Sequence, residues 1–347
     1  MNINYYLILA LFILLPSKGK AQDPRFAQFY AAPNQLNPAL TVVYEGRMRF
    51  IANYRDQWSS VLNDVPFRTV AAHLDYRFNI IGRDYLAFGA NALQDVAGTS
   101  NLKRIKGHLN LAYMKFLGGG SKRNYYLVAG AQAGVGQHSL DWNNLWFSEQ
   151  YDAANEIIDF SLPSGEIENR RGRTFPDFSA GALWYMVSER SAFYLGGAMY
   201  HINTPNLSIF EGNIDRLKRR YVVHTGGTIS LTNNLALLPG AAIFLQGPST
   251  DINIGANIRY TSGDQNDLAL RIGTWAHISS EEEDNYALEA LTMTAMLEMK
   301  TWTLGLSYDI NTSELTPVSN ARGAFETSFT YIIPERGRRV KVTCPKF

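Results

Sequence analysis

Six histidines, one cysteine and a few short charge clusters are the residues of this sequence whose types could do chemistry. Their spacing decides what is available. Zinc hydrolysis calls for HExxH or a Cys/His set, acyl transfer for a GxSxG elbow, and phosphate chemistry for a Gly-rich loop ending in Lys. None of these patterns occurs. His73, His108, His138, His201, His224 and His277 are scattered over separate stretches, where a wall or interface role is commoner than ligation. They leave room for a Ser/His/Asp group among strand tips, but no motif marks one, and the chain reads as non-enzymatic, with no cofactor. The run Glu281-Glu282-Glu283-Asp284 lacks the spaced ligands and glycine turn of a calcium loop and reads as a solvated loop. Arg170-Arg171-Gly172-Arg173 and the group Arg216, Lys218, Arg219, Arg220 either pair with lipopolysaccharide phosphates or keep loops soluble. With 32 basic and 31 acidic residues in 347, there is no basic excess for nucleic acid. Cys344 is the sole cysteine, which excludes an intramolecular disulfide and a cysteine-rich zinc site.

The elements that must carry these residues are strands. Aromatic content is 12%, with 19 Tyr, 18 Phe and 28 Gly, a mixture that favours strands joined by turns. Alternation with period two runs through the chain after residue 44. In TWTLGLSYDIN, 301–311, Trp302, Leu304, Leu306, Tyr308 and Ile310 share one face and Ser307 and Asp309 the other. Val70, Leu74, Tyr76 and Phe78 likewise oppose His73, Asp75 and Arg77. Such runs predict about fourteen strands, near 45–57, 66–79, 84–97, 102–117, 123–138, 176–188, 191–203, 219–231, 234–246, 250–261, 267–279, 286–299, 301–311 and 322–333. Most exceed the mode of about 5–6 residues for soluble strands and suit membrane-crossing ones. Connections alternate between short (79–84, 118–122, 188–190) and long (139–175, 204–218, 312–321). Outer-membrane barrels sort their periplasmic turns and outer loops in this way. The expectation is an all-β chain: a single transmembrane β-barrel of about 14 antiparallel strands over 44–334, facing outer-membrane lipid, with both termini periplasmic.

Ahead of the barrel, Tyr5–Pro16 is an apolar run of signal-peptide length, and small residues before Ala21 predict cleavage there. Its n-region, MNIN, lacks Lys or Arg. Residues 22–43 follow, with Pro24, Pro33 and Pro38 and the apolar Phe26, Phe29, Tyr30, Leu36 and Leu40. Prolines keep this stretch out of a sheet, and its apolar groups resist exposure to the periplasm. Arg47, Arg49, Arg55, Asp75 and Arg77 fall on the lumen phase of two adjacent strands, where charges need water or a partner. The two facts together predict a plug-like segment folded into the barrel mouth, with Phe26, Asn34, Asn37 and Pro38 setting it. Tyr308 and Asp309 are expected at the lumen or outer rim. The basic stretch 335–347 ends in Cys344-Pro345-Lys346-Phe347 and is either a frayed periplasmic tail or a partner contact through Cys344, Pro345 and Phe347. On these features alone, a secretion-system adaptor and a channel for diffusing or hydrophobic solutes both stay open.

The stretch QDPRFAQFYAAPNQLNPAL resembles the N-terminal signature of the PorP/SprF family of type IX secretion outer-membrane proteins. So do, in order, RDQW at 55–58, LQDVAGTSNL at 93–102, PDFSAGALWY at 176–185, HINTPNLSIF at 201–210, RRYVVHTGG at 219–227, LSYDINTSELTPVSNARGAFETSFTYI at 306–332 and the final CPKF. A Val42-Val43-Tyr44-Glu45 run stands where the family has glycine after its NPA block, which bears on the local turn. The resemblance implies a non-enzymatic outer-membrane component of secretion, in some members tied to gliding. It also implies partners: secreted cargo with a C-terminal sorting domain, and periplasmic secretion-system or peptidoglycan-associated proteins.

Overall fold

A computed structural model describes residues 23–59, 61–62, 65, 67–120, 122–153, 155–165, 172–208, 214–262, 268–282, 285–313, 316–335 and 344. The proposed signal peptide, Glu283, Asp284, Pro345 and Phe347 lie outside them, as do Arg170 and Arg171. The strands are β1 (Met48–Gln57), β2 (Phe67–Asn79), β3 (Tyr85–Ala97), β4 (Leu102–Gly119), β5 (Arg123–Ser139), β6 (Tyr151–Asp152), β7 (Ile157–Ile158), β8 (Arg173–Ser188), β9 (Ser191–Tyr200), β10 (Arg220–Ser230), β11 (Leu235–Gln246), β12 (Ser249–Thr261), β13 (Leu268–Glu282), β14 (Asn285–Met299), β15 (Trp302–Asn311) and β16 (Arg322–Ile333).

All but β6 and β7 form one closed antiparallel barrel of 14 strands, in which β1 pairs with β2 on one side and β16 on the other. Met48 stands opposite Ile333 and Tyr76, which completes the seam. β6 and β7 form a separate hairpin inside the loop between β5 and β8. Closure pairs the backbone of every wall strand with a neighbour, as a strand in hydrocarbon requires. Among the described residues no helix is long and apolar enough to cross a membrane; the crossing is made by strands.

The alternation sorts side chains as the pattern predicts. Val70, Leu74, Leu304, Leu306, Tyr308 and Ile310 are exposed on the outside, whereas His73, Asp75, Ser307 and Asp309 are buried within. Arg47 and Arg220 depart from their expected faces. Arg47 precedes β1 and is exposed; its guanidinium reaches the outward Tyr76 hydroxyl, with Nε at 2.8 Å, so it is no lumen charge. Arg220, expected beside an outer loop, is buried and points inward.

Residues 23–44 lie inside the barrel. The stretch holds three short helical turns, Phe29–Ala31, Pro33–Leu36 and Pro38–Val42. Pro33 and Pro38 open the second and third, where a missing N–H costs nothing, and the Asn37 side chain caps the third by accepting from the Ala39 N–H at 2.9 Å. The segment touches strands on all sides. Gln28 hydrogen-bonds Ser307 on β15, Gln132 on β5 donates to Asn34, and Asn37 reaches β8 and β9. Its direction is defined. Tyr44 lies beside the start of β1, and Asp23 lies at the opposite end, against the loop that follows β9. In between, Phe29, Tyr30, Leu36, Leu40 and Val42 form one apolar cluster with wall residues Tyr85, Met114, Tyr126, Tyr185, Tyr194 and Trp275. Burial contributes about 1.5–3 kcal/mol for each large apolar side chain, so this packing is the main force holding the segment.

Candidate functional site

The candidate functional site is the surface along which residues 23–44 meet the lumen wall. At the end where β1 begins, Arg49 and Asp75 face each other across β1 and β2, because residues in register on antiparallel strands share a face. Arg49 Nη2 lies 2.8 Å from Asp75 Oδ2 and also donates to the Leu40 carbonyl at 2.8 Å. Its guanidinium stacks on Tyr44, 4.6 Å from the ring centre. The buried wall charge is thereby neutralised, and its spare donor satisfies the segment's backbone.

Asn37 is the densest polar contact. Its amide nitrogen donates to the carbonyls of Ala182 (2.9 Å) and Gly197 (3.1 Å) and sits 3.0 Å from His224 Nε2. The Asn34 carbonyl accepts from Gln132 (3.0 Å) and the Tyr200 hydroxyl (3.1 Å). Pro38 is buried beside them, and Phe26 packs with Ala32, Ala71 and Leu93. Phe26, Asn34, Asn37 and Pro38 are thus gathered in the lumen.

Near the seam, Glu326 on β16 accepts from the backbone N–H groups of Ala27 (2.6 Å) and Gln28 (2.9 Å) and pairs with Arg55 of β1. Arg55 also reaches Asp309 at 2.9 Å. Tyr308 and Asp309, adjacent in β15, therefore point to opposite sides: Tyr308 outward, Asp309 into this network.

The tip of the segment is fixed by charge. Asp23 lies 2.5 Å from Lys106 Nζ and 2.5 Å from His201 Nε2, with Arg220 at 3.7 Å. His201 Nδ1 lies 2.8 Å from Asp177, so carboxylates face both ring nitrogens. Burial opposes ionisation of Asp23, but Lys106, His201 and Arg220 outweigh it and hold the carboxyl well below its usual range. His201 is shifted the other way: burial lowers it, and Asp23 and Asp177 more than compensate, leaving it raised. Arg25, two residues on, pairs with Glu289 at 2.7 Å and with Asp251.

Cys344 returns to the opposite end of the barrel. Its N–H donates to Glu45 at 3.1 Å, and its Sγ lies 3.8 Å from Arg77 Nη1. Burial pushes the thiol up to about 11.

Sequence reasoning did not single out Asp23, Arg25, Lys106, His201, Arg220 or Glu326 as site residues. Lys106 carried no signal beyond a charge within a strand, Glu326 that and its place in a family-like stretch, and Asp23, Arg25, His201 and Arg220 only their place in such stretches or, for Arg220, in a basic cluster assigned beside an outer loop. No group of His, Cys, Asp and Glu among the described residues could hold a metal ion.

Residues 18–331 match the family model described as the type IX secretion system membrane protein PorP/SprF. The chain belongs to the PorP/SprF family. This PorP/SprF barrel is an outer-membrane component of that secretion system. None of the curated proteins matches it. Among solved structures it is similar to the toluene transporter TodX of Pseudomonas putida (12% identity, TM-score 0.48, 90% of this chain and 95% of that one). It is also similar to the CymD monoaromatic hydrocarbon channel (13%, 0.44, 88% and 94%) and to CdiB from Escherichia coli (9%, 0.46, 84% and 64%).

Proposed function

We propose that this PorP/SprF barrel is a non-enzymatic, lumen-closed station of type IX secretion that supports export or surface anchoring of particular cargo proteins. The observation that carries the reading is the lumen: a barrel of the secretion family whose interior is occupied by its own residues 23–44, pinned by Asn37, Glu326 and Asp23. A pore filled in this way suits a scaffold more than a conduit, so its work falls to its two ends. Short turns at one end and long loops at the other are the outer-membrane arrangement with the turns in the periplasm.

On this reading residues 1–21 are a cleaved signal peptide, 22–43 a plug, 44–334 the barrel and 335–347 a periplasmic tail. The tail and turns contact periplasmic secretion-system or peptidoglycan-associated proteins, with Pro345 and Phe347 at that contact and the buried Cys344 anchoring the tail beside Glu45 and Arg77. The loop end meets cargo bearing a C-terminal sorting domain, and a link to gliding follows where that cargo is an adhesin. Asp309 acts through its hold on Arg55, and Tyr308 through the outer face.

Gene deletion tests the proposal. Specific surface proteins are expected to accumulate in the periplasm of the deletion strain, and export is restored by the wild-type gene. Normal export of every surface protein in that strain overturns it.

A further inference from the structure

Beyond Asp23 the described residues enclose a hollow. A cavity of about 570 Å³ is bounded below by Asp23, Pro24 and Arg25 and walled by β13 to β16 and β1 to β4 at the long-loop end. That volume lies in the range of roughly 300–1,000 Å³ found for ligand sites. Asp23, Pro24, Arg25 and Ala27 of the lumenal segment form its floor. The space is therefore a cup, and its lining defines what fits.

The charges in the cup are already spent on one another. Arg25 pairs with Glu289 and Asp251, Arg55 with Asp309 and Glu326, and Asp23 with Lys106 and His201; Asp95, which accepts from Thr69 at 2.7 Å, stands opposite Arg104 in register across β3 and β4. An ionic ligand has to break one of these pairs and strand its partner, which is costly in a part-buried site. A neutral ligand can use the remaining hydrogen-bonding capacity of carboxylates and amides without doing so. Two features await such a ligand. His277 lines the wall, is more than nine-tenths buried, and its Nε2 has no hydrogen-bond partner, a state that buried polar atoms seldom keep. Trp58 and Phe67, at the end of β1 and the start of β2, form an edge-on aromatic pair lining the cup, ring centres 5.5 Å apart, with the Trp58 backbone N–H donating to the Gly323 carbonyl at 3.1 Å.

We propose that this cup binds a short neutral oligosaccharide, its C–H faces against Trp58 and Phe67 and its hydroxyls on the polar wall. Sugar hydroxyls donate and accept in pairs, as the lining demands, and an electron-rich aromatic face attracts the polarised C–H bonds of a pyranose. A peptide is the poorer fit. Strand addition needs an open sheet edge, and the closed barrel offers none. The outward orientation of the cup rests on the secretion reading above; its binding does not.

The test uses the full-length barrel in lipid nanodiscs, titrated with maltotriose, cellotriose, chitotriose and mannotriose and, as a contrasting arm, with a Gly-Ser hexapeptide. Tryptophan fluorescence and calorimetry report binding. At least one trisaccharide is expected to bind saturably. Trp58→Ala and His277→Ala each weaken it by about tenfold, and Trp58→Phe recovers part of the loss. An unchanged thermal transition in the variants separates lost binding from lost folding. Absence of binding by all four sugars up to about 10 mM overturns the proposal, as does equal affinity in the variants or binding of the peptide alone. A deletion strain that exports normally sinks the secretion reading and leaves this one standing; a barrel that ignores sugars does the reverse.

Discussion

The Oε1 atom of Glu326, on the last strand of the barrel, accepts a 2.6 Å hydrogen bond from the backbone N–H of Ala27, 299 positions earlier. The same carboxylate holds Arg55 of the first strand. One side chain thus joins the two strands that close the sheet and the segment enclosed by it, so seating the segment and closing the barrel are coupled.

Replacing Glu326 with Ala leaves two buried N–H groups unpaired and removes half the charge around Arg55. Losing one member of a buried pair costs about 3–5 kcal/mol. The expected result is a lower urea midpoint in lipid and less of the heat-resistant folded band on gels. Glu326→Gln keeps an acceptor and should lose less. An unchanged midpoint for the alanine variant removes the coupling.

Gly130 sits where the third helical turn presses on β5. A Cβ at this position meets Ala39 N at 2.5 Å and Pro38 C at 2.5 Å, both backbone atoms that cannot swing away. Gly130→Ala is expected to cost about 1–3 kcal/mol and to loosen the segment enough to give current steps in planar bilayers. Gly107→Ala, with nothing within 4 Å of its Cβ, is the control. Wild type and control should be silent; a conducting wild type contradicts a closed lumen.

The tip makes stability depend on pH in two opposed ways. Asp23 is depressed, so its contribution is complete above about pH 4 and is lost as acid titrates it through its folded value. His201 is raised, so its contribution is complete below about pH 6.5 and fades as pH climbs through the folded value. His201 also adopts φ +56°, a conformation Asn tolerates. His201→Asn should flatten the alkaline arm of the stability profile above about pH 6.5 and weaken without abolishing the acid arm, because Lys106 and Arg220 still hold Asp23. An alkaline arm that survives the substitution assigns it elsewhere.

Cys344 is buried and its thiol raised to about 11, so little thiolate exists at pH 8. Maleimide should label it slowly in the native barrel and rapidly in denaturant. Rapid native labelling shows the tail undocked.

Period-two alternation made the barrel legible, because which face a residue occupies is a local property of strands. Leu304, Leu306 and Ile310 outside and Ser307 and Asp309 inside follow from five residues of pattern. The proline-rich head announced a segment outside the sheet and, through its apolar residues, one in need of cover. Its three helical turns were less visible, since each is a single turn fixed by Pro33, by Asn37 with Pro38, and by lumen contacts, too short to leave a period.

The amino-acid sequence by itself determined the family, the strand count and the inward or outward phase of the cleanly alternating stretches such as those of β2 and β15, a property set by near neighbours along the chain. Only the tertiary structure decided which charges meet. Arg47 turned out to Tyr76 and Arg220 in to Asp23, the tip rose to the long-loop end, and Glu326 found Ala27. Each of these depends on where a closed cylinder brings strands together across its lumen, and no local pattern records that.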